Sequence, residues 1–305
     1  MHPTILATLL EGSSPVVAMC CAGIALLVVG ILAAKNQIAA ARGLDKIVAL
    51  SNACFASPVA VFGALHLFGP QFVRDLVPAY MPWRVFWVYG VGIALIAASL
   101  SIATRIGVRW SGLLFGIMMF LFVAMIHLPG AISEHDRVVW VIVFRESSFG
   151  GAAWILAATA VDGWSGQART TLVTVGRVTI VLALIVFGIG HFLHPVVLPG
   201  VPLRKEMPAW VPGQAFIGYV TGTALLVAAG SVLLKRKTRT VLTCAAVWLL
   251  FLVLVIYGPL LIVALTDPDT TAKVVGINYF SDTLMFAGVI LALASATPGI
   301  FASTH

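Results

Sequence analysis

The chain has 305 residues, 61% of them hydrophobic and 10% charged, and a net charge of +7. Soluble domains carry roughly a quarter charged residues, so this composition excludes an ordinary soluble enzyme or binding module. The apolar residues gather in separate runs of about 18 to 25, long enough for a helix rising about 1.5 Å per residue to cross about 30 Å of hydrocarbon.

The expected fold is therefore all-α: a polytopic membrane protein of about nine transmembrane helices. Spans are read near 16–34, 46–68, 86–103, 109–128, 138–160, 171–194, 214–234, 240–264 and 275–297. No Lys or Arg precedes the first run, and Lys35, Arg42 and Lys46 follow it, which predicts a retained helix with its N-terminus outside. Counting onward, Arg105, Arg109, Arg169, Arg177 and the Lys235–Arg239 cluster fall on the same side as Lys35. The opposite side holds fewer cations, mixed with Glu11, Asp75, Glu134, Asp136, Glu206, Asp267 and Asp269. By the positive-inside rule the chain runs N-out and C-in, a multi-pass protein of the cell membrane, in a bacterium the inner membrane. The basic cluster is then an insertion signal whose partners are membrane lipids, and no nucleic acid is expected. Cys20, Cys21, Cys54 and Cys244 all lie in predicted spans without a CxxC pair, so they supply neither a disulfide framework nor a redox motif.

Set against itself, the chain repeats. Gly-Ala-Leu-His66-Leu-Phe-Gly-Pro70 answers Gly-Ile-Gly-His191-Phe-Leu-His-Pro195 at an offset of 125. Val-Pro78-Ala-Tyr80-Met-Pro82 answers Met-Pro208-Ala-Trp210-Val-Pro212 at 130, because the second loop is five residues longer. The offset of 130 also pairs Tyr89 with Tyr219, Arg109 with Arg239, His127 with Tyr257 and Pro129 with Pro259, and at 135 Ile155-Leu-Ala meets Ile290-Leu-Ala. The expected organisation is an N-terminal helix and loop over 1–45, a first four-helix unit over 46–160 and a second over 161–305. With an even number of spans per unit, the two repeats are parallel, each a four-helix bundle. Small-residue spacings such as Gly112 to Gly116 and Gly218 to Gly222 would let backbones approach closely.

The H-x-x-x-P at the end of the first helix of each unit, the P-A-[YW]-x-P loop, the Tyr-containing second helix and the basic turn before the third together resemble the DoxX-like four-helix membrane proteins. The resemblance runs once through each unit, whereas that family ordinarily has a single unit. It implies association with quinol-linked oxidoreductase complexes, including thiosulfate oxidation at the quinone pool, and it carries over no catalytic motif residue by residue.

Ionisable groups inside a span are costly and tend to face a bundle interior. Here they share a depth: His66, His127 and His191 lie a turn from the outer helix ends, and Arg145, Glu146 and Asp282 lie about two turns in. Each has a structural reading as well, the charges as glue between helices and the histidines as helix-end fixtures beside Pro70 and Pro195. Adjacent residues do not face each other on a helix, so Arg145 and Glu146 are each expected to have a partner elsewhere. Asp282 aligns with Ser147, so the copies have diverged, one a site and the other a scaffold. His191 and His194 stand one turn apart and could hold a metal, but His194 precedes Pro195 and is pushed out of helical geometry. The exchange of His127 for Tyr257 favours hydrogen bonding to a quinone-like head over ligation, because neutral Tyr is a poor metal ligand. Haem or copper is the lesser alternative, and no metal site is assigned.

The sequence has no dinucleotide fingerprint, no CxxCH and no loop long enough for a flavin domain, so dehydrogenase chemistry would belong to another chain. The expectation is an integral membrane subunit of a quinone-linked oxidoreductase or electron-transfer complex. Redox subunits would dock on its outer side, against the Pro-, Trp- and Tyr-bearing loops 69–85 and 195–213. A quinone head would reach a polar site formed by His66, His127, Arg145 and Glu146, with His191, Tyr257 and Asp282 as further candidates. Alternatives are a small-solute or ion transporter and a scaffold subunit without chemistry of its own.

Overall fold

A computed structural model describes residues 14–297, and among them nine helices are long and apolar enough to cross a membrane. They are α1 (Pro15–Ala40), α2 (Asp45–Phe68), α3 (Arg84–Thr104), α4 (Val108–Glu134), α5 (Arg137–Thr159), α6 (Gly166–Leu193), α7 (Gln214–Leu233), α8 (Thr238–Leu265) and α9 (Thr270–Ser295). The chain is an all-α, multi-pass membrane protein.

Several helices outrun the apolar windows in the sequence, and α4 shows why. Pro129 lacks an N–H and its ring would collide with the carbonyl four residues earlier, which argues for a helix end near 128. Instead the turn before it widens into a π-helix over Val123–His127, and the helix continues to Glu134. In α8 the same device recurs before Pro259, with a π-helix over Val253–Tyr257. The turns entering these helices match too: Arg105 and Gly107 take left-handed backbone (φ 63° and 67°), as do Lys235 and Lys237 (φ 54° and 47°). The duplication is thus written in backbone geometry as well as in residues.

Consecutive helices from α2 to α9 pack side by side, α9 packs back on α2 and also lies against α5 and α6, and α1 lies against α2 and α3. The two units interlock. The fourth helix of the first unit, α5, packs on α6, the first helix of the second; the fourth of the second, α9, packs on α2, the first of the first. These contacts are close because small residues sit at them. On α9, Gly288 lies against the α2 backbone, where an added Cβ would stand 2.8 Å from the Phe55 nitrogen. At the α4–α5 crossing, Gly112 meets the Ala153 carbonyl in the same way (2.7 Å). Such contacts replace the hydrophobic driving force that lipid cannot supply between helices. Interior polar groups are satisfied across other helix contacts: from α3, Ser99 Oγ donates to the Ala56 carbonyl of α2 (2.7 Å), and from α2, Ser57 Oγ donates to the Gly23 carbonyl of α1 (2.8 Å).

Candidate functional site

Within the first unit, α2, α3, α4 and α5 surround a cavity of about 650 Å³, closed on its remaining side by α9. Most of the lining is apolar, including Val59, Phe62, Leu95, Phe115, Met119 and Met285. The loop carrying Val77, Pro78 and Met81 covers its end. Between α3 and α4 it reaches the protein surface, where its lining residues Phe86 and Leu121 are 62% and 51% exposed. That flank faces hydrocarbon in a membrane.

The polar part of the lining is His66, His127, Arg145, Glu146, Asn278 and Asp282. Arg145 organises it. Its Nη1 donates to Asp282 Oδ2 at 2.7 Å, while Nη2 (2.7 Å) and Nε (3.1 Å) both donate to Glu146 Oε1. Arg145 has the distant partner expected of it, Asp282, whereas the expectation is corrected for Glu146, whose partner is Arg145 itself. The guanidinium is long and forked, so it folds back over the adjacent carboxylate while its other arm reaches across to α9. The ring of Phe149 lies below, 6.0 Å from the guanidinium carbon. All three charged side chains are at most 15% exposed. One cation therefore serves two carboxylates in a nearly dry place.

His66 also lines the cavity, and its Nδ1 donates to the Phe62 carbonyl at 2.8 Å. That bond places the ring proton on Nδ1 and leaves Nε2 of the neutral ring as an acceptor. His127, at the end of the π-turn, is half-buried and has no hydrogen-bonding side-chain partner among the described residues. Asn278 Oδ1 is buried and likewise without a partner among the described residues. The sequence reading did not single out Asn278, although it lies one helical turn before Asp282 and so on the same face.

Two of the seven candidate residues are elsewhere. His191 and Tyr257 hold the corresponding position in the second unit, and there the extra length of the second Pro-rich loop fills the space. Leu198, Val201, Met207 and Val211 are buried in the main core. The loop is folded back on itself through Leu198 N–H to Lys205 O and Met207 N–H to Val196 O, both 2.8 Å. Tyr257 OH donates to the Pro199 carbonyl (2.8 Å), and the Gly200 N–H donates to His191 Nε2 (3.0 Å). A cofactor-binding role for this pair is thus replaced by a loop-holding one. From the first unit, Arg137 clamps the same loop by donating to the carbonyls of Pro202 (2.6 Å) and Leu203 (3.2 Å), and Asp136 pairs with Arg204. His194 caps α6 with φ −134° and ψ 68°, outside helical geometry. Among the described residues no three His, Cys, Asp or Glu side chains are placed to hold a metal ion.

The charges accompany the cavity. In the second unit the positions of Arg145 and Glu146 are taken by Phe280 and Ser281, and Asp282, which belongs to the second unit by sequence, faces the first unit's cavity instead. Comparison with protein-family models, curated proteins and solved structures finds no match to this chain.

Proposed function

We propose that the chain is the membrane subunit of a quinone-linked oxidoreductase, with the first unit's cavity as the binding site for the quinone. The observation that carries this reading is the combination of a large apolar cavity, an opening on a lipid-facing flank, and a few polar groups centred on Arg145. Small-molecule sites are mostly apolar, with a few placed polar groups that fix orientation, and a hydrophobic carrier dissolved in the bilayer needs access from the side. The resemblance to DoxX-like proteins points the same way. The prenyl tail would lie among Phe86, Val91, Leu95 and Leu121, and the ring would lie toward His66, His127 and Arg145. By the charge bias of the loops this end is the outer one, so external redox subunits would meet the Pro-rich loops there.

Arg145 and His127 can donate to ring oxygens, and Glu146 Oε2, not engaged by Arg145, can accept. A photoactivatable azidoquinone supplied to the chain in lipid nanodiscs tests the reading. It should label peptides of α2, α3 or α4 that line the cavity, and an excess of unmodified decyl-tailed quinone should suppress the labelling. Labelling confined to α6–α8, or insensitive to competition, would remove the basis for the assignment.

A further inference from the structure

We propose that the cavity prefers the reduced, hydroxyl-bearing form of its ligand over the oxidised form, so that it is a quinol site; this rests on the reading above. The argument comes from what the second unit does with the same space. There a single peptide group, the amide joining Pro199 to Gly200, is held between His191 and Tyr257. Its N–H lies 3.0 Å from His191 Nε2, which also stands 3.3 Å from the Gly200 carbonyl, and its oxygen receives the Tyr257 hydroxyl at 2.8 Å. Leu249 and Thr283 stand beside it, 3.6 and 3.1 Å from where a Cβ on Gly200 would lie. The counterparts of His191, Tyr257 and Leu249 in the first unit are His66, His127 and Met119, and all three line the cavity. The loop therefore sits where the polar end of a ligand would sit, with both an N–H and a carbonyl turned toward the first-helix histidine.

In the first unit the bonding of His66 itself sets the demand for a donor. With Nδ1–H committed to the Phe62 carbonyl, Nε2 offers only a lone pair. A quinone oxygen is also only an acceptor, so the two would meet lone pair to lone pair. A quinol hydroxyl donates, and its oxygen still accepts from His127, as the Pro199 carbonyl does from Tyr257. The two carboxylates sharing Arg145 add acceptor capacity at the same end. Leaving a buried acceptor unmet is worth on the order of a tenfold loss in affinity.

The test is equilibrium binding of a decyl-tailed benzoquinone and its hydroquinone to the full chain in nanodiscs, the reduced arm under anaerobic conditions. The reduced form is expected to bind about tenfold more tightly, which for a two-electron couple equals a rise of about 30 mV in the midpoint potential of the bound pair. His66→Phe should erase the preference. His66→Gln, whose amide can donate, should tilt it toward the oxidised form. Equal or tighter binding of the oxidised form to the unaltered chain would overturn the proposal while leaving the quinone reading standing. Binding of neither form would overturn both.

Discussion

Replacing Arg145 by Met removes the one cation that two buried carboxylates share, and the structure sets the scale of the damage. Both ion pairs close at 2.7 Å, with the carboxylate side chains only 13% and 9% exposed. Breaking a buried pair from one side costs about 3–5 kcal/mol. The cavity beside this pair can admit water or a proton, so the expected loss lies at the lower end, about 3 kcal/mol. Asp282→Asn is a milder change: the amide oxygen still accepts from Arg145, Glu146 still balances the guanidinium, and about 1 kcal/mol is expected. In the double variant one carboxylate is gone, so the combined loss should fall short of the sum by about 1–2 kcal/mol. Reversible unfolding from lipid–detergent micelles into SDS, followed by tryptophan fluorescence, gives all three values. A coupling within about 0.5 kcal/mol of zero, or Asp282→Asn costing as much as Arg145→Met, would refute the reading that one cation serves both carboxylates.

Gly288→Val should be among the most damaging single changes outside the site, by about 3 kcal/mol or more, because the new side chain meets Phe55 and Cys54 backbone that cannot rotate away; the same unfolding assay reads it. Gly200→Ala should cost about 1–3 kcal/mol, since φ there is +116° and a Cβ would press on Thr283, and hydrogen exchange should show the 196–207 segment opening. Tyr257→Phe leaves the Pro199 carbonyl without its donor, with an expected cost of about 1–2 kcal/mol and faster exchange confined to the same segment; unchanged exchange would mean that the hydroxyl does not hold the loop. For orientation, a reporter fused after Lys237 should report the cytoplasm and one near Arg204 the outside; the reverse would move the cavity to the cytoplasmic leaflet.

The spans were legible because hydrocarbon thickness imposes a length and composition that few other structures share. The repeat was legible as ordered matches of Pro, His and Tyr, and the structure adds paired π-turns at Val123–His127 and Val253–Tyr257. Depth along each helix brought His66, His127, Arg145 and Glu146 together correctly, since rise per residue is fixed. Rotation about the helix and the choice of neighbour were not legible. Asp282 pairs with Arg145 over a separation of 137 residues, a contact set by how α9 inserts between α2 and α5 and invisible to offsets counted along the chain. The longer second loop was visible as a change of offset, yet nothing in its Val-Leu-Pro-Gly-Val composition distinguished a surface hairpin from a segment filling a bundle.

The pairing of Arg145 with Glu146 matters before the fold exists. Helix α5 has the lowest mean hydropathy of the nine spans, 1.3, and a lone guanidinium near the middle of such a segment would resist partition into lipid. Its distant partner on α9 lies 137 residues further along the chain and is made later. A carboxylate one residue away lets the helix enter the bilayer already neutralised, and the guanidinium arm left over can then recruit Asp282 when the ninth span arrives. In this order of events the adjacent pair is an escort for membrane insertion, and a cation isolated by Glu146→Gln would be expected to slow integration of the fifth span during biosynthesis even where the finished protein tolerates the change.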